Sequence, residues 1–171
     1  MCLRVATRAA RPVDYRARTR SPKVFPMSNL ATDDAVAAFA LAPGFRCAAT
    51  ACGLKKSGSL ARALVWAGAP CAAAGVFTTN RVQAAPVLVD RSSLAATGGR
   101  VRGVLANAGC ANAVTGERGL ADARRMQAIG AGATGAAPDE MLVLSTGVIG
   151  VFLDMDKLAA GVEVLKGADA K

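Results

Sequence analysis

The sequence contains no histidine among its 171 residues. That excludes a Ser–His or Cys–His nucleophile–base pair and any mixed Cys/His zinc site. Five cysteines are present (Cys2, Cys47, Cys52, Cys71, Cys110), yet none falls in a CxxC pair, so an all-cysteine zinc site has no support either. The odd count in an alanine-rich chain predicts reduced, mostly buried thiols acting as small core residues. Aromatic residues make up only 4% of the chain against 53% hydrophobic. A core built here must therefore pack small side chains closely. Long apolar runs are also missing. The longest uncharged stretch, Ala63–Asn80, is rich in Ala and Gly and carries Pro70 at its middle. It falls short of the about 20 strongly apolar residues that span a bilayer, and reads instead as two buried strands and a turn. No membrane partner is expected.

Charge is unevenly placed. The net charge is +9, but residues 1–26 hold seven Lys/Arg against the single acid Asp14, and the remaining 14 basic and 11 acidic residues leave +3 for the rest. The basic excess thus belongs to the N-terminal tail, which has one aromatic, Tyr15, and no basic helix face behind it. No nucleic-acid partner is expected from it. The tail has no apolar h-region, so it is not a secretory signal. It is compatible with an organellar transit peptide, or with upstream sequence before a start at Met27, and the sequence leaves both open. Two divisions result: the basic tail, 1–26, and one domain, 27–171.

Along that domain, "DDAVAAFALA" (33–42) reads as a short helix or strand ended by Pro43–Gly44. "ALVWAG", "AAGVFTTN" and "PVLVDR" read as strands of a mainly antiparallel sheet, followed by a strand at "VRGVLANAG" (101–109). From Gly119 the period changes. Leu120, Ala123, Met126 and Ile129 share a helical face opposite Arg124 and Arg125, with the glycines from Gly130 expected to end the helix. A strand in "PDEMLVLSTG" and a helix in "DMDKLAAGVEVLKG" follow, the latter with Met155, Leu158, Val162 and Leu165 on one face and Asp154 as its cap. Strands followed by two strand–helix units predict a layered α/β domain. The chain stops soon after the last helix, so the domain is expected to be incomplete at its C-terminus.

Three loops compete as the seat of chemistry. "GAGATG" (130–135) matches G-x-G-x-x-G, but a dinucleotide site needs a strand before it and a helix after it, and the order here is reversed. "ACGLKKSGS" (51–59) sets Lys55 and Lys56 beside Gly and Ser without the register of a P-loop, and reads as a solvated turn. "NAGCANAVTG" (107–116) and "STGVIG" (145–150) are different. Each places small polar residues after an apolar strand, where α/β folds build sites. A Thr–Gly turn can offer the Thr146 hydroxyl and the Gly147 N–H to a developing oxyanion, because Gly lets the backbone approach closely. Without histidine, the base of an acyl-transfer site must be a Lys, a carboxylate or a terminal amine. A threonine activated by its own α-amine is one such solution.

Four blocks in one order, "GFRCAATACGLKKSG", "AAGVFTTNRVQAAPVLVDR", "NAGCANAVTGERGLADA" and "STGVIGVFLDMDKL", resemble the α-chain of the bifunctional ornithine acetyltransferase/N-acetylglutamate synthase family of arginine biosynthesis. The resemblance runs from about Gly44 to Gly161. It implies a layered α-β-β-α sandwich of the N-terminal-nucleophile-like type. It also implies a precursor that cleaves itself before a threonine to give α and β chains, assembled as α2β2. The β-chain threonine takes acetyl from N2-acetyl-L-ornithine, or from acetyl-CoA in the bifunctional members, and passes it to L-glutamate. No further cofactor is implied, and the family's cytoplasmic location becomes an organellar matrix if residues 1–26 are a transit peptide. The Thr and Gly of the STG block form the family's oxyanion hole, which corresponds here to Thr146 and Gly147. There are departures. The family's "MTTD"-like cleavage block is absent, the only TT being Thr78–Thr79 ahead of Asn80. Cys110 stands at a loop position where relatives often carry Asn or Gly, and Phe152 and Asp154 stand where prolines are common. The 171 residues alone are therefore expected to be inactive. A non-catalytic remnant, or a subunit that joins a separate β chain, is the alternative.

Overall fold

A computed structural model describes residues 42–50 and 61–167. The basic tail, nearly all of segment 33–42, the Lys55–Lys56 loop, Cys2 and Cys52 lie outside the described residues. Four strands form one sheet in the order β1 (Phe45–Thr50), β2 (Arg62–Ala72), β3 (Arg100–Cys110), β4 (Met141–Val148). The pairs β1/β2 and β2/β3 are antiparallel; β3/β4 is parallel. The sheet is mixed, and its parallel pair needs a crossover helix. That helix is α2 (Gly116–Thr134), while α1 (Ala85–Ala96) joins β2 to β3 and α3 (Met155–Gly167) follows β4.

Alternation along the strands divides the sheet into two unlike faces. Val101, Gly103, Leu105 and Asn107 of β3 are buried, with Met141 and Val143 of β4 on the same side. Leu105, Met141 and Val143 join Val89 of α1, Ala123 and Met126 of α2, and Met155, Leu158 and Val162 of α3 in a single core. The intervening residues Val104, Ala106, Ala108 and Leu142 are half-buried and Leu144 is 54% exposed. Among the described residues no helix covers a membrane's width with apolar side chains.

Both long helices follow their sequence logic. In α2 the expected face is inside (Ala123 and Met126 buried, Leu120 and Ile129 partly so) and Arg124 and Arg125 are exposed. Asp154 caps α3: its carboxylate accepts the Lys157 N–H at 3.1 Å, relieving one of the unpaired amides of the first turn. The Leu165 side chain lies outside the described set.

Several expectations are corrected. The run "PVLVDR" is not a strand but the start of α1. Its buried positions Ala85, Pro86, Val89, Asp90 and Ser93 repeat with helical period, a pattern visible only when the window extends past Arg91. Pro86 opens the helix, where its missing N–H costs nothing. "AAGVFTTN" is not a strand either. Ladder pairing ends near Ala73, whose N–H meets the Gly99 carbonyl. Beyond it the Phe77 ring folds onto Gly75, where a Cβ would stand 2.9 Å from Phe77 Cζ. Thr78 and Asn80 side chains then take backbone N–H groups in tight turns. Ala63–Asn80 thus yields one strand rather than two, with Pro70 seated in the register shift between Trp66 and Cys71, where a sheet tolerates it.

Nor do the glycines from Gly130 end α2. Gly130 is an approach point: a Cβ there would come within 3.0 Å of Met141 Cγ and 3.2 Å of Leu105 Cβ. The helix stops at Gly135, left-handed at φ 65°, with its N–H on the Ala131 carbonyl. "GAGATG" is thus mostly helix, not a helix-ending loop. Finally, the three described thiols are not mostly buried: Cys110 is, Cys71 is intermediate and Cys47 is exposed. Cys110 is also no loop residue, since it is the last residue of β3.

Candidate active site at the carboxyl ends of two parallel strands

The two segments singled out for chemistry are brought together. Because β3 and β4 are parallel, "NAGC" and "STGV" end side by side, pairing Asn107 with Ser145, Ala108 with Thr146, Gly109 with Gly147 and Cys110 with Val148. The contact continues past the strands: the Ala111 N–H donates to the Val148 carbonyl at 2.9 Å and the Gly150 N–H to the Ala113 carbonyl at 2.9 Å. Thr146 and Gly147 lie within β4 itself, not in a turn after it.

Gly147 is required by geometry. Its φ is +132°, and a Cβ there would stand 2.6 Å from both the Gly109 carbonyl oxygen and the Cys110 nitrogen, and closer still to the Gly109 carbonyl carbon. Gly109, opposite, has φ +115°. Two glycines thus let two backbones touch with no side chain between them. Thr146 points to the face away from the helices, into a recess of about 290 Å³. Ala49, Ala63, Ala106 and Ala108 line it, with Arg62 and Asn107 at its margin. Strand alternation also sets the direction of the Gly147 N–H. The Val143 N–H faces the free edge of β4, where Asp90 Oδ1 accepts it at 2.8 Å, and two-residue periodicity turns the Gly147 N–H to the same edge. A hydroxyl that borders the recess and an amide donor turned to the strand edge therefore sit on consecutive residues, the two kinds of donor that an oxyanion site uses.

The surroundings hold this strand end from several sides, through residues that the sequence reading did not single out. Asn107, 2% exposed, donates through Nδ2 to the Cys110 carbonyl at 2.9 Å and accepts the Ser145 hydroxyl at 2.6 Å. Asn112, fully buried at φ 46°, donates to the Gly119 carbonyl and accepts the Thr115 hydroxyl, tying the loop to the first turn of α2. Arg62, also 2% exposed, donates to the Lys157 carbonyl at 2.6 Å. Below the site, Gln127 donates to Ser93 Oγ and to the Met141 carbonyl. The Asp90 carboxyl is pushed up to about 6 by burial, against the opposing pull of the Val143 N–H. Asp154 moves the other way, its pKa lowered by the hydrogen bond from the Lys157 side chain. The signals available were polar letters at alternate, otherwise apolar positions (Asn107, Ser145). For Asp90 there was none, because its segment read as a strand.

Around the rim the surface is apolar and open: Val114 is 66% exposed, Val148 60%, Ile149 64%, Val151 49% and Phe152 45%. Val114 holds φ 57°, which a β-branched residue adopts only under constraint. The Arg118 guanidinium stacks 4.0 Å over the Phe152 ring.

Comparison with known proteins agrees with this architecture. The sequence profile of the ArgJ family matches residues 46–170. The arginine biosynthesis bifunctional protein ArgJ of Geobacter sulfurreducens is 48% identical over 122 residues, which is 71% of this chain and 30% of that protein. The mitochondrial ArgJ of Uncinocarpus reesii is 49% identical over 128 residues, 70% of this chain and 28% of that protein. The chain thus spans less than a third of the length of these relatives. Among solved structures, ArgJ of Bacillus halodurans superposes with a TM-score of 0.67 at 39% identity, covering 71% of this chain and 62% of that one. Ornithine acetyltransferase of Mycobacterium tuberculosis, complexed with ornithine, gives 0.65 at 49% identity, covering 70% and 64%. The chain belongs to the ArgJ family.

Proposed function

We propose that Thr146 and Gly147 form the oxyanion hole of a glutamate N-acetyltransferase that moves acetyl from N2-acetyl-L-ornithine to L-glutamate, with acetyl-CoA as a second donor. The observation that carries this reading is the glycine pair. Gly147 at φ +132° against Gly109 sets Thr146 and Gly147 on consecutive, exposed positions of one strand end. These donors polarise the acetyl carbonyl and hold the negative charge that gathers on its oxygen as a nucleophile adds, while the alanine-lined recess beside Thr146 accommodates small apolar groups. The ornithine bound to the Mycobacterium tuberculosis relative supports a small amino-acid substrate, and no metal or organic cofactor enters the scheme.

The nucleophile in this reading is the N-terminal threonine of a β chain, released by self-cleavage of a family-length precursor and assembled with this chain as α2β2. The second sheet and outer helices of an α-β-β-α sandwich then come from that β chain, packed on the face that carries Ala106, Ala108 and Leu144. The apolar rim of Val148, Ile149, Val151 and Phe152 supports such a partner. The chain works in the cytoplasm, or in an organellar matrix if residues 1–26 direct it there, as mitochondrial relatives illustrate. By itself the 171-residue polypeptide transfers no acetyl group. The test is a radiolabel transfer assay from N2-acetyl-L-ornithine to L-glutamate, run on the purified chain alone and co-expressed with a family β chain beginning at its nucleophilic threonine. Transfer only in the second case is expected. Comparable transfer by the chain alone would overturn the assignment of the nucleophile.

A further inference from the structure

Thr146 and Gly147 can act as paired donors only if β4 holds its register at the last turn of the pleat, since a slip of one residue would carry Thr146 to the helix-packed face. Backbone pairing continues past this point, with the Ala111 N–H on the Val148 carbonyl, but at Gly109 and Gly147 the two strands meet with no side chain between them. We propose that Asn107 and Ser145 are the positioning residues of the oxyanion hole, a side-chain clamp that fixes the strand end on both sides of the glycine contact. The inference rests on the oxyanion reading given above.

The hydrogen bonds run in one direction. Ser145 donates its hydroxyl to Asn107 Oδ1 at 2.6 Å, so the Asn107 carbonyl is committed to the residue just before Thr146. Asn107 Nδ2 donates to the Cys110 carbonyl at 2.9 Å, committing the other half of the amide to the residue just after Gly109. One buried amide thereby brackets the glycine pair, holding β4 ahead of it and β3 behind it. Asn107 is 2% exposed, and in a site with so little water each bond is stronger than on the surface and its loss more disruptive. The backbone adds a third tether, the Ala108 N–H on the Ala61 carbonyl at 2.8 Å, which fixes β3 against the start of β2. Ser145 lies on the strand face opposite Thr146 and Asn107 is buried beneath the strand end, so the clamp positions the donors and is not itself one of them.

Ser145→Ala removes the hydroxyl without adding bulk, and Ser145→Thr restores it. The first readout is NMR relaxation dispersion of the 171-residue chain, which reports microsecond-to-millisecond exchange residue by residue. Ser145→Ala should introduce exchange broadening at Thr146 and Gly147 while Leu142 and Val143 stay as in the parent, and Ser145→Thr should remove it. Unchanged Thr146 and Gly147 signals in Ser145→Ala would overturn the proposal. The second readout is kinetic, on the chain assembled with a family β chain. Ser145→Ala should lower kcat roughly 10- to 100-fold with KM unchanged, as expected for donors displaced from their productive position. If Thr146→Ala lowers kcat and Ser145→Ala leaves it at the parent value, the clamp is refuted and the oxyanion hole stands. If neither variant affects kcat, the oxyanion reading itself fails and takes the clamp's catalytic role with it.

Discussion

The two halves of β4 differ more than any two elements of the fold. Met141 and Val143 are wholly buried, packed under α1 and α2 and braced by Gln127 and Asp90. From the next residue the same strand is open: Leu144, Thr146, Gly147 and Val148 are all exposed. The first half carries apolar bulk and buys the fold its stability; the second carries small and polar groups and leaves its donors available. One strand thus serves as both anchor and site, and its rigid half is what allows the exposed half to hold a demanding backbone geometry.

The contrast can be tested from the core outward. Met141→Ala should cost ~2–5 kcal/mol of stability through lost burial and a cavity beneath α2, read as the denaturation midpoint in urea. In the same experiment Leu144→Ala, on the open half, should stay within about 0.5 kcal/mol. Equal losses would show that the two halves are not energetically distinct.

Asp90 gives a smaller, pH-dependent effect. Its folded pKa is raised to about 6 from 3.8, so between these values the folded state holds the proton more tightly than the unfolded chain does. Stability should therefore fall as pH rises from 4 to 6 and level off above, by on the order of 3 kcal/mol at 1.36 kcal/mol per pH unit. Asp90→Asn keeps an acceptor for the Val143 N–H and removes the buried charge. It should flatten that slope and raise stability at pH 7, as measured by thermal melts across the range. An unaltered slope in Asp90→Asn would assign the dependence to another group.

Much of this contrast was legible in the sequence, and the reasons differ by region. The faces of α2 and α3 could be read because Met126 or Leu158 recurs with its neighbours at helical spacing, and Asp154 announced its cap. The pairing of "NAGC" with "STGV" could be suspected because polar residues closed two apolar strands. Helix α1 could not be read from "PVLVDR", whose β-branched residues favour a strand over six positions and show helical period only over twelve. Segment 73–80 has the composition of a strand, but composition cannot say whether a ladder partner exists. Gly130 read as a helix stop because a glycine's role in close packing depends on Met141 and Leu105, which are distant in sequence from one another. The clamp formed by Asn107 and Ser145 was invisible for the same reason: it depends on parallel register, which only the fold supplies.

The most direct test of the account is the kcat of Thr146→Ala in the chain assembled with a family β chain, with its melting temperature measured alongside. Removal of one oxyanion donor should lower kcat by roughly 10²- to 10³-fold and leave the melting temperature at the parent value, since Thr146 packs against little. A kcat equal to the parent's, in a protein that melts where the parent does, would contradict the assignment of the site.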